Sequence, residues 1–208
     1  MTTTSTIAVL GTGSVSRALA AGLRAAGHRV VVGSRTPSPS EGTVGHAAAA
    51  AAAGIVVNAL PGDAALDVLT PLADELAGAV LVDVANAVEY GPDGLASALR
   101  HPGSSLAEEL QRALPRTRVV KTLNTMGPAA LMADPTGLSA PLTAFLSGND
   151  PAAKAVVAGL LGDLGWPGEG IIDLGDVATA RGPEAFILMV RPLVRALGPV
   201  PFGLAVAR

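Results

Sequence analysis

Four apolar residues, Ile7-Ala8-Val9-Leu10, lead straight into Gly11-Thr12-Gly13-Ser14-Val15-Ser16, and an alanine- and leucine-rich segment follows from Arg17 to Ala26. Gly27 stops that segment. His28-Arg29-Val30-Val31-Val32 then returns as a second apolar run ending at Gly33-Ser34-Arg35. Short, uninterrupted apolar runs suit strands buried on both faces, as in a parallel sheet. Strand, glycine turn, helix and strand in roughly thirty residues is the shortest unit that brings a chain back parallel to its own first strand. Few other arrangements can accommodate this opening.

The two glycines have separate tasks. Gly11 allows the tight turn off the strand, and Gly13 lets a pyrophosphate approach the backbone. The N–H groups that open the next helix, from Ser14 and Val15, then face the anion, helped by the helix dipole. Ser16 stands at the third position of the G-x-G-x-x-G pattern. The reading is a dinucleotide site in a Rossmann fold, an α/β architecture with a doubly wound, mostly parallel sheet. The end of the second strand says which dinucleotide. An NAD-preferring site sets Asp or Glu there for the ribose 2′-hydroxyl. This chain has Gly33-Ser34-Arg35-Thr36 and no carboxylate before Glu41. A hydroxyl followed by a planar, permanently charged guanidinium suits a 2′-phosphate, so the cofactor is read as NADP(H).

At 208 residues the chain fits one such domain with a small appendage. We divide it into an NADP(H)-binding Rossmann domain over residues 1–148 and a C-terminal helix-strand-helix extension over 149–208. Half of the residues are hydrophobic but only 2 % are aromatic, so the core is built from Ala, Val and Leu and base-stacking platforms are disfavoured. A net charge of −3 offers no basic field for nucleic acid or anionic lipid. The absence of cysteine excludes disulfides, thiolate metal sites and a cysteine nucleophile. Neither a leader-like start nor a membrane-length apolar run is present, so a cytoplasmic protein is expected.

Further strands are predicted over 55–60, 79–84, 118–123 and 141–148, with a short edge strand over 171–175. A short helix is predicted over 46–53 from its alanines, and another over 64–76 with Asp63 as its N-cap. The backbone of Leu60-Pro61 is a plausible wall for the cofactor at the strand's C-terminal end, where open α/β sheets bind ligands. Asn86 has a donor and an acceptor that suit a ribose or nicotinamide amide, or its own loop. The stretch from Tyr90 to Gly103 reads as a long irregular loop. Ser104 or Ser105 can cap a helix over 106–114. Lys121 is read as a strand lysine reaching solvent rather than as a catalytic group. Asp176 is expected to cap a proline-interrupted helical stretch over 177–197. The apolar tail over 198–206 is either covered by a partner subunit or an edge hazard, which suggests a homodimer.

No Ser-His-Asp arrangement or metal-ligand spacing is visible, and His28, His46 and His101 lie in unrelated loop or helix-edge contexts. Hydride transfer needs none of these, because the cofactor supplies the chemistry and the protein orients it. No catalytic side chain and no metal are assigned.

The motifs Gly11-Thr12-Gly13, Val32-Gly33-Ser34-Arg35, Asp83-Val84-Ala85-Asn86 and Val120-Lys121-Thr122-Leu123-Asn124-Thr125 resemble the NADPH-dependent reductases of coenzyme F-420 (F420), an 8-hydroxy-5-deazaflavin. Phe145 to Asp150 and Ile172 to Gly175 are similar to the same family. The resemblance implies NADP(H) along the sheet's C-terminal edge, a deazaflavin co-substrate stacked on the nicotinamide, and direct hydride transfer between them. It places the 2′-phosphate on Ser34 and Arg35, with Thr12 and the glycine-turn amides on the pyrophosphate. Asn124, Thr125 and Met126 come beside the deazaflavin. Asn124 is an amide where some deazaflavin-dependent members have histidine. Similar sequences also form the NADPH module of membrane metalloreductases, where a flavin is the acceptor. Reduction of a flavin, an imine or a small carbonyl compound, and non-enzymatic NADP(H) sensing, stay open as alternatives.

Overall fold

The computed structural model describes residues 4–127 and 129–207, so Met1 to Thr3, Pro128 and Arg208 lie outside the described residues. The chain runs β1 (Thr6–Leu10), α1 (Ser14–Ala25), β2 (Arg29–Ser34), β3 (Thr43–Gly45), α2 (His46–Ala51), β4 (Ile55–Asn58), α3 (Ala65–Leu69) and β5 (Val80–Asp83). It continues through β6 (Val88–Tyr90), β7 (Ala96–Leu99), α4 (Leu106–Ala113), β8 (Arg118–Lys121), β9 (Met126–Gly127) and α5 (Ala130–Ala133). The last elements are β10 (Ala144–Ser147), α6 (Pro151–Asp163), β11 (Ile171–Gly175), α7 (Arg181–Ala185), α8 (Ile187–Leu197) and β12 (Phe202–Gly203).

Eight strands form one sheet in the order β3-β2-β1-β4-β5-β8-β10-β11. All neighbours are parallel except β8 and β10, which meet through Ser147 and Lys121. The winding direction reverses between β1 and β4, and such a switch point opens a crevice at the strands' C-terminal ends. This is the Rossmann architecture read from the opening residues.

The two-residue period of β1 divides the core. Ile7 and Val9 pack on one face with Leu19, Leu23, Val157, Leu161 and Trp166. Ala8 and Leu10 pack on the other with Ala49, Leu69, Leu106 and Leu110. Trp166 lies in the apolar layer because its indole N–H donates to the Met132 carbonyl at 3.1 Å. Residues from beyond position 148 thus share a core with the first helix, and β11 extends the same sheet.

Several local expectations are corrected. The helix expected over 64–76 is only α3 and a 3-10 turn over Thr70–Leu72, because Pro71 lacks the N–H that a continuing helix needs. Asp63 does not cap it: the preceding turn closes through the Ala64 N–H on the Pro61 carbonyl, at 3.0 Å. The stretch expected to be irregular from Tyr90 to Gly103 contains β7, which pairs antiparallel with β6. Strand β3 is an edge strand that its three residues were too short to announce. Asp176 does cap, accepting from the Ala178 N–H at 3.1 Å. The C-terminal helices part at Phe186, and Pro192 lies within α8. The apolar tail pairs with its own chain, β12 running antiparallel to β9. No helix among the described residues is long and apolar enough to cross a membrane.

Candidate functional site

Gly11 leaves β1 with a φ of +119°, which favours glycine, and a Cβ there would lie 2.6 Å from the Ala59 carbonyl oxygen. The turn is held by the Gly11 N–H donating to Gly33 at 2.9 Å. It is held too by the buried Ser16 hydroxyl, which donates to the Gly11 carbonyl at 2.6 Å. Ser16 is thus a fastener of the phosphate turn rather than a mere replacement for a small residue. At the next glycine the need is different. Gly13 is the N-cap of α1, has no side-chain capping bond, and has nothing within 4 Å of a built Cβ. The helix therefore presents its first N–H groups to open space, which suits a phosphate.

A cleft of about 620 Å³ opens there, within the range of ligand pockets. It is lined by Gly11, Thr12, Gly13, Ser14 and Val15 from the turn, by Ser34, Arg35 and Thr36 at the end of β2, and by Leu60 and Pro61 beyond β4. Ten expected cofactor residues included Asn86; the other nine all line this one cleft. Arg35 is exposed and makes no ion pair with a described residue, so its charge is free for a ligand. Ser34 is buried and uses its hydroxyl locally, donating to the Thr36 carbonyl at 2.9 Å and accepting from the Thr36 N–H at 3.1 Å. Its first effect is to shape the turn that presents Arg35. Glu41, His46 and Tyr90 also line the cleft, and sequence reasoning assigned none of them.

A second cavity, of about 300 Å³, lies at the end of β8. Asn124, Thr125 and Met126, which the resemblance sets beside the deazaflavin, form one wall. The opposite wall, missed in the sequence, is Phe186, Ile187 and Val190 with Pro199 to Phe202. It is largely apolar, and β12 brings the tail into it. The only hint in the sequence was the apolar character of that tail. Leu123, just before this wall, has a φ of +57°, a conformation that costs a non-glycine residue about 1–3 kcal/mol and that clusters at functional sites.

Asn86 and Asn124 are joined. Asn86 Nδ2 donates to the Asn124 carbonyl at 3.0 Å, and Asn124 Nδ2 donates to Asn86 Oδ1 at 2.9 Å. Asn86 lines neither cavity, and ties the ends of β5 and β8 together between them.

The expectation that Lys121 reaches solvent is overturned, because Lys121 is 1 % exposed. Its Nζ lies 2.9 Å from Asp83 and 2.8 Å from Glu184, and it also donates to the Ala85 carbonyl. Burial presses the ammonium toward its neutral form, but the two carboxylates outweigh that and raise its pKa. Each carboxylate has further donors. Asp83 accepts from Asn58 Nδ2 at 2.8 Å and the Ala85 N–H at 3.2 Å. Glu184 accepts from the Leu106 and Ala107 N–H groups at 2.8 and 3.2 Å. Glu184 thereby fixes α7, and with it Phe186 and Ile187, to the sheet. Among the described residues no cluster of His, Cys, Asp or Glu is placed to hold a metal ion.

The family described as NADP oxidoreductase, coenzyme F420-dependent, matches residues 6–87. The structure is similar to that of a provisionally assigned F420-dependent NADP-reductase from Arthrobacter sp. FB24, at 41 % identity and a TM-score of 0.90, covering 98 % of this chain and 100 % of that one. Metalloreductase STEAP3 of Rattus norvegicus is 32 % identical over 192 residues, or 89 % of this chain, and the chain spans 37 % of its length. The imine reductase of Streptomyces aurantiacus shares the fold, at 19 % identity and a TM-score of 0.63 over 92 % of this chain and 62 % of that one.

Proposed function

The chain belongs to the coenzyme F420-dependent NADP oxidoreductase family, and from that premise we propose that it moves a hydride directly between NADP(H) and a deazaflavin of the F420 type. The observation that carries this reading is the alignment of two sites along one sheet edge. The cleft occupies the ends of β2, β1 and β4, and the apolar cavity occupies the end of β8. Two strand spacings, roughly 10 Å, separate β4 from β8. A dinucleotide laid along this edge brings its nicotinamide end toward the cavity.

The residues present fit NADP(H). The open first turn of α1 suits the pyrophosphate, Arg35 suits the 2′-phosphate, and Leu60-Pro61 forms a wall. Bound there, the cofactor supplies the hydride chemistry, and the protein binds, orients and excludes water. Asn86 and Asn124 brace the strand ends between the two sites, so the acceptor wall keeps its distance from the cofactor. Phe186, Ile187 and Val190 offer a dry face to a flat ring. Reduction of another acceptor, such as a flavin, would use the same cavity. The tail keeps Val200 and Val206 half-exposed, and on this reading they belong to a homodimer contact; sedimentation showing a monomer at micromolar concentration would count against it.

Filling the cavity tests the assignment. Val190→Trp should raise the KM for oxidised F420 at least tenfold and leave the calorimetric Kd for NADPH unchanged. An unchanged KM in a folded variant would place the acceptor elsewhere.

A further inference from the structure

His46 opens α2 in the wall of the cofactor cleft, which it shares with Ser34, Arg35 and Thr36. Its Nδ1 is buried and has no hydrogen-bond partner. A Cβ added at Gly33 would lie 3.1 Å from that atom, so the ring is pressed against the end of the strand that presents Arg35. A proton on Nδ1 would be buried without an acceptor, which costs about 1–3 kcal/mol. The neutral ring therefore keeps its proton on Nε2. Nε2 makes no hydrogen bond to a described residue and is not buried, which leaves it open to the cleft.

We propose that His46 is a second binding residue for the adenosine 2′-phosphate, donating through Nε2–H beside the Arg35 guanidinium. The inference rests on the NADP(H) reading and adds a specificity residue to it. Without ligand, burial first and then the Arg35 charge hold the His46 pKa below histidine's ordinary value. A phosphate dianion accepting from Nε2–H offsets the Arg35 repulsion and raises the His46 pKa, while the buried Nδ1, which the second proton must occupy, holds it down equally with either cofactor. Besides Arg35, the charged or titratable groups of this cleft are Glu41 and Tyr90. Strands β1 and β3 and the rest of α2 contribute none, and Arg29 is at the far end of β2. His46 thus reads the phosphate as charge and not only as a shape.

Nuclear magnetic resonance of the full chain with 15N-labelled histidine tests this directly. The three imidazoles are titrated between about pH 5 and 8 with saturating NADP⁺ and then with saturating NAD⁺, and His46→Gln assigns the His46 signal. The His46 midpoint should lie about one pH unit higher with NADP⁺ than with NAD⁺. Equal midpoints would overturn the proposal and leave the NADP(H) reading intact. A failure of NADP⁺ to bind at all would overturn both. As a second measurement, His46→Ala should lower the preference for NADP⁺ over NAD⁺ about tenfold, with His46→Gln recovering part of the loss at high pH. Equal weakening of both cofactors would assign the ring to the adenosine and overturn the phosphate contact.

Discussion

The cleft at the ends of β1, β2 and β4 and the apolar cavity at the end of β8 share one sheet edge but are built in opposite ways. The cleft is local and largely backbone: Gly11 to Val15 and Ser34 to Thr36 come from one βαβ unit, and its walls are a turn, a helix end and an arginine that makes no ion pair with a described residue. The cavity is assembled from three segments, 124–127, 186–190 and 199–202, that are far apart in the chain. It is braced by a buried polar network in which Lys121 joins the ends of β5 and β8 to α7. One half is built mostly from neighbouring segments, and the other from segments far apart in the chain, although the same buried network also reaches the cleft wall through Asn58 and the Leu60 N–H.

The sharpest way to break this contrast is to remove the lysine. Lys121→Met leaves Asp83 and Glu184 buried without their cation, and losing one partner of a buried ion pair costs about 3–5 kcal/mol. Urea unfolding should show that loss, and the surviving folded protein should bind oxidised F420 worse while binding NADPH normally. Arg35→Ala should do the reverse. It should weaken NADP(H) by about 1.5–3 kcal/mol, as for other charge-assisted hydrogen bonds, with NAD(H) affinity and unfolding midpoint little changed. Equal losses for both cofactors would remove the 2′-phosphate assignment. Ser16→Ala deletes the buried bond to the Gly11 carbonyl and should cost roughly 1 kcal/mol of stability, with weaker binding of both dinucleotides in calorimetry.

Acid should also loosen the cavity side, by a smaller amount than these substitutions. The Arg181 hydrogen bond holds Glu108 below its ordinary value of 4.5, helped by Ser105 and opposed by burial. A depressed carboxylate contributes stability above its unfolded value, and that contribution is lost as pH falls through the folded one. The clamp between α4 and α7 is therefore intact above about pH 4.5 and weakens below it. Thermal melts of Glu108→Gln should lose their difference from wild type in that acid range. A difference that persisted there would rule out this clamp.

The same contrast explains what could be read in advance. The opening unit announces itself because its glycines, apolar runs and Arg35 act within one crossover. Lys121 misled for the opposite reason: its partners Asp83 and Glu184 are 38 residues before it and 63 after it, and only the fold brings them together. His46 gave no signal, since an isolated histidine before an alanine run acquires meaning only when β3 turns α2 back against Gly33. Asn124 to Met126 were legible as a strand end, whereas Phe186 to Val190 and the tail strand opposite them were not.

The most direct measurement mixes the purified protein with NADPH and oxidised F420 and follows the deazaflavin absorbance, with NADH in parallel. The account predicts rapid bleaching with NADPH and little with NADH. Intact NADPH binding by calorimetry with no bleaching would contradict it, leaving the cofactor cleft in place and the cavity to another acceptor.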